Sequence, residues 1–260
     1  MPFFEGNNPF KKIFNHKILL IIVIIIFIIL SAGAFFLLQS NPAKPEALSL
    51  LENENIFVDE WGRLIAEPEN NQKRSGIIFY PGGNIKGEAY LPLASSLSNK
   101  GYKVIIVPMP FDLAVFNKDA AIDVINKYNN IDRWLLSGHS LGGAMAADLI
   151  AKHSEKFSAL ILLASYPSQN SDLSSTDLEV LSITASKDNV LNQEKYTNSK
   201  KNLPSDTVYG SIEGGNHAQF GQYGSQKGDG KATISSEEQI KQTVNIIDDF
   251  FKENIEEDMR

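Results

Sequence analysis

The stretch WLLSGHSLGGAMAADLIAK, residues 134–152, decides how this chain is read. Trp134–Ser137 is a short apolar run of strand type, and Leu141–Lys152 is an amphipathic stretch long enough for a helix. Between them lies Gly138-His139-Ser140-Leu141-Gly142-Gly143, which matches G-x-S-x-G. That spacing suits a sharp strand-to-helix turn: small residues two before and two after Ser140 let the chain double back and hold the hydroxyl clear of a sheet. The helix start then points its positive end at the site and leaves the Leu141 N–H free to donate to an oxyanion. As a bare pattern G-x-S-x-G is weak, with on the order of a tenth of a chance match in a chain this long. Its placement between a strand and a helix gives it weight.

A serine hydroxyl needs a base to take its proton and a third group to orient that base. The chain holds four histidines: His16, His139, His153 and His217. His16 precedes the apolar N-terminal run, His139 is committed to the turn itself, and His153 closes the helix after it. That leaves His217, in the loop Gly214-Gly215-Asn216-His217 after the last strand-like run. For the acid, Asp188 follows the run Val180–Thr184, so the chain order is serine, acid, histidine. Asp172, Asp177 and Glu213 are rivals, and Asp188 has a second reading as the cap of the following helix. A further oxyanion donor is expected from Pro81-Gly82-Gly83-Asn84, where two glycines allow close backbone approach; Gly83 is the first choice and Asn84 the alternative. Asn84, Asp112 and Tyr166 fall where they would contact substrate, although a strand-end cap is an equal reading for Asp112 and Tyr166.

Outward from this centre, six short apolar runs read as buried strands: residues 76–80, 104–108, 134–137, 160–164, 180–184 and 208–212. Amphipathic stretches at 88–100, 118–129, 141–152, 193–201 and 236–252 alternate with most of them. The alternation predicts an α/β fold, a mostly parallel, doubly wound sheet with helices on both faces. Functional residues then gather at the carboxyl ends of the strands, where the residues singled out above all fall. The connection 166–177 is too short for a cap domain. The glycine-rich loop 220–231 reads either as a mobile rim of the pocket or as a solvated connection.

Residues 18–38 carry no charge, and at 1.5 Å per residue they would span roughly the 30 Å of a bilayer core. They read as a transmembrane anchor, with a cleavable signal peptide ending near Ala34 as the competing reading. Lys11, Lys12 and Lys17 precede the run, which by the positive-inside rule places residues 1–17 in the cytoplasm and the rest outside the membrane. Residues 39–55 read as a short stalk and residues 56–260 as the catalytic domain. The formal net charge of −7 divides accordingly into +3 over residues 1–45 and −10 beyond.

The acidic balance argues against a nucleic-acid partner. With no cysteine among 260 residues there is no disulfide, no thiolate-held metal and no thiol nucleophile. No ligand set points to a metal, and no cofactor is expected.

Several segments together resemble the alpha/beta hydrolase superfamily. They are PGG at 81–83, YKVIIVPMPFDLAVF at 102–116, GHSLGGAMAA at 138–147, LLASYP at 162–167, and EGGNHAQFGQYG with GDGKATIS within 213–235. More narrowly the chain looks like the small, cap-less bacterial group termed hydrolase fold five, with dienelactone hydrolases as distant relatives. The resemblance spans roughly residues 76–250 and implies a Ser140, Asp188, His217 triad. Dienelactone hydrolases use a cysteine nucleophile, so Ser140 argues against a substrate of that kind. The expected reaction is acyl transfer to water from an ester, thioester or amide, on a small-molecule or lipid-like acyl substrate at the outer face of the membrane. Alternatives from other classes are an envelope acyltransferase using the same acyl-enzyme and a non-catalytic surface binding module.

Overall fold

The structure, a computed structural model, describes residues 9–37, 39–69 and 74–256. The chain divides into two units, Met1–Gln39 and Ser40–Arg260. The first is a helix, α1 (Pro9–Leu37), whose described side chains run unbroken only from Lys17 to Ile29. Every large apolar residue from Ile18 to Ile29 is exposed, between 41% and 68%. No helix among the described residues is long and apolar enough to cross a membrane. The expected span 18–38 lies only partly within the described residues. Leu38, residues 1–8 of the expected cytoplasmic tail and the side chains of Lys11 and Lys12 lie outside them.

The second unit is an eight-stranded sheet: β1 (Ile56–Val58), β2 (Leu64–Ala66), β3 (Ser75–Tyr80), β4 (Lys103–Ile106), β5 (Arg133–His139), β6 (Ala159–Leu163), β7 (Glu179–Ala185) and β8 (Val208–Ile212). Their spatial order is β1-β2-β4-β3-β5-β6-β7-β8, with the β1–β2 and β2–β4 pairs antiparallel and all later neighbours parallel. Central strands such as β3 are buried along their whole length, which is why they read as continuous apolar runs. Successive side chains still alternate. Ile77 and Phe79 enter one core cluster with residues of α3 (Leu91–Ser98) and α7 (Ser236–Phe251). Ile78 and Tyr80 enter the other, with residues of α4 (Ala120–Lys127) and α5 (Leu141–His153).

The six expected strands and five expected helices are all present, within a few residues at their ends. The fourth helical stretch corresponds to α6 (Gln193–Ser199), opened by Asn192, whose side chain accepts the Lys195 N–H. Ser235 caps α7 in the same way by accepting the Glu238 N–H. The segment 164–178 between β6 and β7 holds no helix or strand.

Two features differ from expectation. The pair β1–β2 was not anticipated: each strand has three residues, too few to show an alternating pattern, and the turn between them is organised by Asp59, whose Oδ1 accepts the N–H groups of Trp61 and Arg63. The expected stalk 39–55 is folded onto the domain. It forms a short helix, α2 (Pro45–Leu48), with Ala47 fully buried and Leu50 packed against the core. Backbone bonds dock it: Asn41 N–H to Asn84 O at 2.7 Å and Lys44 N–H to Gln222 O at 2.8 Å. A segment held mainly by its main chain has no apolar periodicity to display. Ala47→Asp should therefore lower unfolding free energy by about 1–3 kcal/mol in urea titrations, through burial of a charge; a solvated stalk would show no change.

Candidate active site

Ser140 stands between β5 and α5 with φ 51° and ψ −119°, a conformation that L residues adopt only under constraint. The constraint is visible. A Cβ on Gly142 would lie 2.2 Å from the Tyr80 carbonyl oxygen, and one on Gly138 would lie 2.5 Å from the Gly142 backbone. The start of α5 is thus pressed against the end of β3 as tightly as main chain allows, and only glycine fits. Ser140 N–H donates to Leu163 O at 3.0 Å, and its carbonyl accepts from Ser165 Oγ at 2.6 Å and from Ala144 N–H at 3.2 Å. Ser140 itself is half-buried.

At the neighbouring strand ends, Asp188 and His217 form a buried pair, with His217 Nδ1 2.8 Å from Asp188 Oδ2. A carboxylate only accepts, so Nδ1 donates to it, and in the neutral ring Nε2 keeps its lone pair. His217 Nε2 is buried and has no hydrogen-bond partner. The other carboxylate oxygen, Asp188 Oδ1, accepts the N–H groups of Val190 and Leu191, each at 2.8 Å. Asp188 therefore does both things its sequence position allowed: it organises its own turn and holds the histidine. Its rivals Asp172, Asp177 and Glu213 are exposed, and Asp172 instead accepts the Ser174 N–H. The acid turn and the histidine loop are joined by their backbones, through Ser186 N–H to Ile212 O and Lys187 N–H to Gly215 O.

What connects this pair to the serine is His139. Its ring lies 4.5 Å from that of His217, centroid to centroid, and it immediately precedes Ser140. His139 is fully buried, and burial, reinforced by the neighbouring His217, holds its pKa well below the ordinary histidine value, so it stays neutral. Tyr90 fixes its orientation: the Tyr90 hydroxyl accepts the Gly82 N–H at 3.0 Å and donates to His139 Nδ1 at 2.8 Å. Burial pushes the tyrosine pKa up, which keeps that donor protonated. This link between the Pro81-Gly82-Gly83 turn and the residue before Ser140 has no sequence signature, because Tyr90 reads as one more core aromatic.

Gly83 and Leu141 are neighbours, a Cβ on Gly83 being 3.0 Å from Leu141 Cδ2. Among the described residues neither backbone N–H has an acceptor within the chain. Asn84, at φ 56°, donates its N–H to Asp112 O at 2.8 Å, while its Oδ1 is buried without a partner. The Asp112 carboxylate is held by Lys86 Nζ at 2.8 Å and by Ser40 Oγ. Leu113 also touches Gly83, and Phe111 and Phe116 beyond it form an exposed edge-to-face pair with centroids 5.7 Å apart. Tyr166 is half-buried after β6. The loop 220–231 begins buried, at Phe220, Gln222 and Tyr223, and its Asp229 bonds to the histidine loop. Among the described residues no group of three or more His, Asp or Glu is arranged to hold a metal ion.

Residues 76–241 match the model of the alpha/beta hydrolase family, so the chain belongs to that family and is a hydrolase. No curated protein matches it in sequence. Among solved structures it is similar to Est1E from Butyrivibrio proteoclasticus with ferulic acid bound, at 14% identity and TM-score 0.58 over 78% of this chain and 97% of that one. It is likewise similar to MGS-MChE2, an alpha/beta hydrolase enzyme from the metagenome of lagoon sediments of Mar Chica, Morocco, at 17% identity and TM-score 0.57, covering 77% and 99% of the two chains. A thermophilic esterase from Thermogutta terrifontis, Est2 with butyrate bound, matches at 15% identity and TM-score 0.57 over 77% and 94%. At these identities the likeness is one of fold.

Tyr90→Phe removes the hydroxyl that serves both Gly82 and His139 and leaves two buried polar groups unpaired. Chemical denaturation should show a loss of about 1–3 kcal/mol, against almost none if Tyr90 were only a packing residue.

Proposed function

We propose that this hydrolase cleaves carboxylic esters of small molecules through an acyl-enzyme on Ser140, with His217 as base and Asp188 as its orienting acid. The observation that carries the reading is the buried Asp188–His217 pair, whose unpartnered Nε2 belongs to a ring packed on the residue before the strained serine. His217 Nε2 takes the Ser140 proton as the hydroxyl oxygen adds to the ester carbonyl, and Asp188 stabilises the imidazolium that forms. The N–H groups of Leu141 and Gly83 receive the oxyanion, aided by the N-terminus of α5. Collapse of the tetrahedral species expels the alcohol, which takes the proton from His217. Water then attacks the acyl group with His217 again as base, returning Ser140 and releasing the acid.

The absence of any helix or strand in 164–178 supports an open, cap-less site, and the Leu113, Phe111 and Phe116 side chains beside Gly83 favour an apolar acyl or aryl group. The ferulic acid bound by Est1E and the butyrate bound by the Thermogutta terrifontis esterase fit the same class.

A fluorophosphonate should label Ser140, and Ser140→Ala should abolish both labelling and turnover of para-nitrophenyl esters. Asp188→Asn should lower kcat by a factor on the order of 10³–10⁴ by leaving His217 in the wrong tautomer. A folded protein that is not labelled refutes the proposal.

We further propose that residues 18–38 anchor the chain in a membrane with the catalytic domain on the outer side. The uncharged run, the lysines before it and the exposed apolar side chains of Ile18–Ile29 support this reading. In a bacterial host the full chain should sediment with membranes, resist alkaline carbonate and be digested by protease added to spheroplasts. Recovery in the soluble fraction, or protection from the protease, counts against it.

A further inference from the structure

We infer that Asp229 is a positioning residue for the His217 base, clamping the histidine loop to the turn that carries the acid. The inference rests on the reading of Ser140, Asp188 and His217 given above and extends it to the glycine-rich loop. In sequence, Gly228-Asp229-Gly230 is an ordinary turn; in the fold its carboxylate is aimed at the backbone of both catalytic loops.

Asp229 Oδ1 accepts the His217 N–H at 3.3 Å, the Asn189 N–H at 3.4 Å and the N–H of its own neighbour Gly230 at 2.8 Å. Oδ2 accepts the Ala218 N–H at 2.9 Å. The clamp therefore grips the residue that bears the base, the residue after the base and the residue after the acid. Gly230 completes it from the other side. Its carbonyl accepts from Asn216 Nδ2 at 2.8 Å, and a Cβ there would lie 1.9 Å from the Lys187 carbonyl oxygen, so its backbone is pressed against the residue preceding the acid. Through Asp229 and Gly230 the loop thus engages both neighbours of Asp188 and both neighbours of His217.

The chemistry of the side chain is specific. Each oxygen faces backbone donors, so the position calls for an acceptor at both atoms, which a carboxylate supplies. An asparagine of nearly the same volume must turn its amide N–H₂ toward at least one of those N–H groups. Asp229→Asn therefore separates the hydrogen-bonding role from packing.

With the full chain in detergent and para-nitrophenyl acetate as substrate, Asp229→Asn is expected to lower kcat by about tenfold or more, as loss of alignment at the reacting atoms does. KM should stay within about twofold, because Asp229 bonds only to backbone N–H groups and not to any group the proposed mechanism brings to the acyl carbonyl. The downfield proton resonance of His217 Nδ1, hydrogen-bonded to Asp188, should broaden or shift in the variant. Gly230→Ala, which leaves the carboxylate in place but forces the loop off Lys187, should reproduce the same kcat loss and decides the matter if Asp229→Asn melts below the assay temperature. A kcat within about twofold of the parent, or an unmoved Nδ1 resonance, overturns the inference. Ser140→Ala assayed alongside separates the two failures: an active Ser140→Ala sinks the triad reading and this inference with it, whereas an inactive one beside an unimpaired Asp229→Asn sinks the clamp alone.

Discussion

The left-handed backbone of Ser140 is the constraint around which the rest of this domain is arranged. A serine at φ 51° is held there only because the chain on either side has nowhere else to go: β5 delivers it to the sheet edge, Leu163 O takes its N–H, and α5 must start within contact of the Tyr80 and Pro81 carbonyls. The cost of that conformation is offset by burial in the surrounding sheet, whose central strands are packed on both faces. Placing the serine this way also drives His139 into the interior, where a histidine must be neutral and hydrogen-bonded. Tyr90 meets that need at Nδ1 and in doing so ties the Gly82 turn, and with it Gly83, to the residue before Ser140.

The other half of the site is built by a different device. The acid turn and the histidine loop follow adjacent parallel strands, β7 and β8, and are stitched by main-chain hydrogen bonds before any side chain is considered. Their register follows from the sheet, so the 2.8 Å contact between Asp188 and His217 is a consequence of strand pairing as much as of the two residues themselves. The Asp229 clamp adds a third backbone segment to the same joint. One side of the site is thus fixed by steric compression around glycine and the other by hydrogen bonds to main chain.

How much of this was legible in the sequence depended on whether the stabilising interaction leaves a periodic trace. Buried parallel strands and amphipathic helices do, and all six runs and five helices were recognisable from it. Ser140 was legible because the glycines at 138 and 142 mark the close approach directly, and His217 because elimination left no other candidate. Between Asp188 and its rivals the sequence ranked but did not decide, since all four follow or precede a strand; burial and the bond to His217 separate them. The strands β1 and β2, the docking of 39–55, the Tyr90–His139 link and the Asp229 clamp left no trace. Each rests on a few hydrogen bonds, many to backbone atoms, and a backbone partner has no residue type to betray it.

By itself, then, the sequence determined the layered α/β architecture and the identity of the candidate nucleophile and base, because hydrophobic period and the glycine requirement at an elbow are written residue by residue. Only the tertiary structure decided which carboxylate meets His217, that Asp112 is held by Lys86 and Ser40, and that the glycine-rich loop is bonded to the site rather than standing as a free rim. Those are questions of which distant loops touch, and contact across 29 or 72 residues of separation is set by strand order and not by any local pattern.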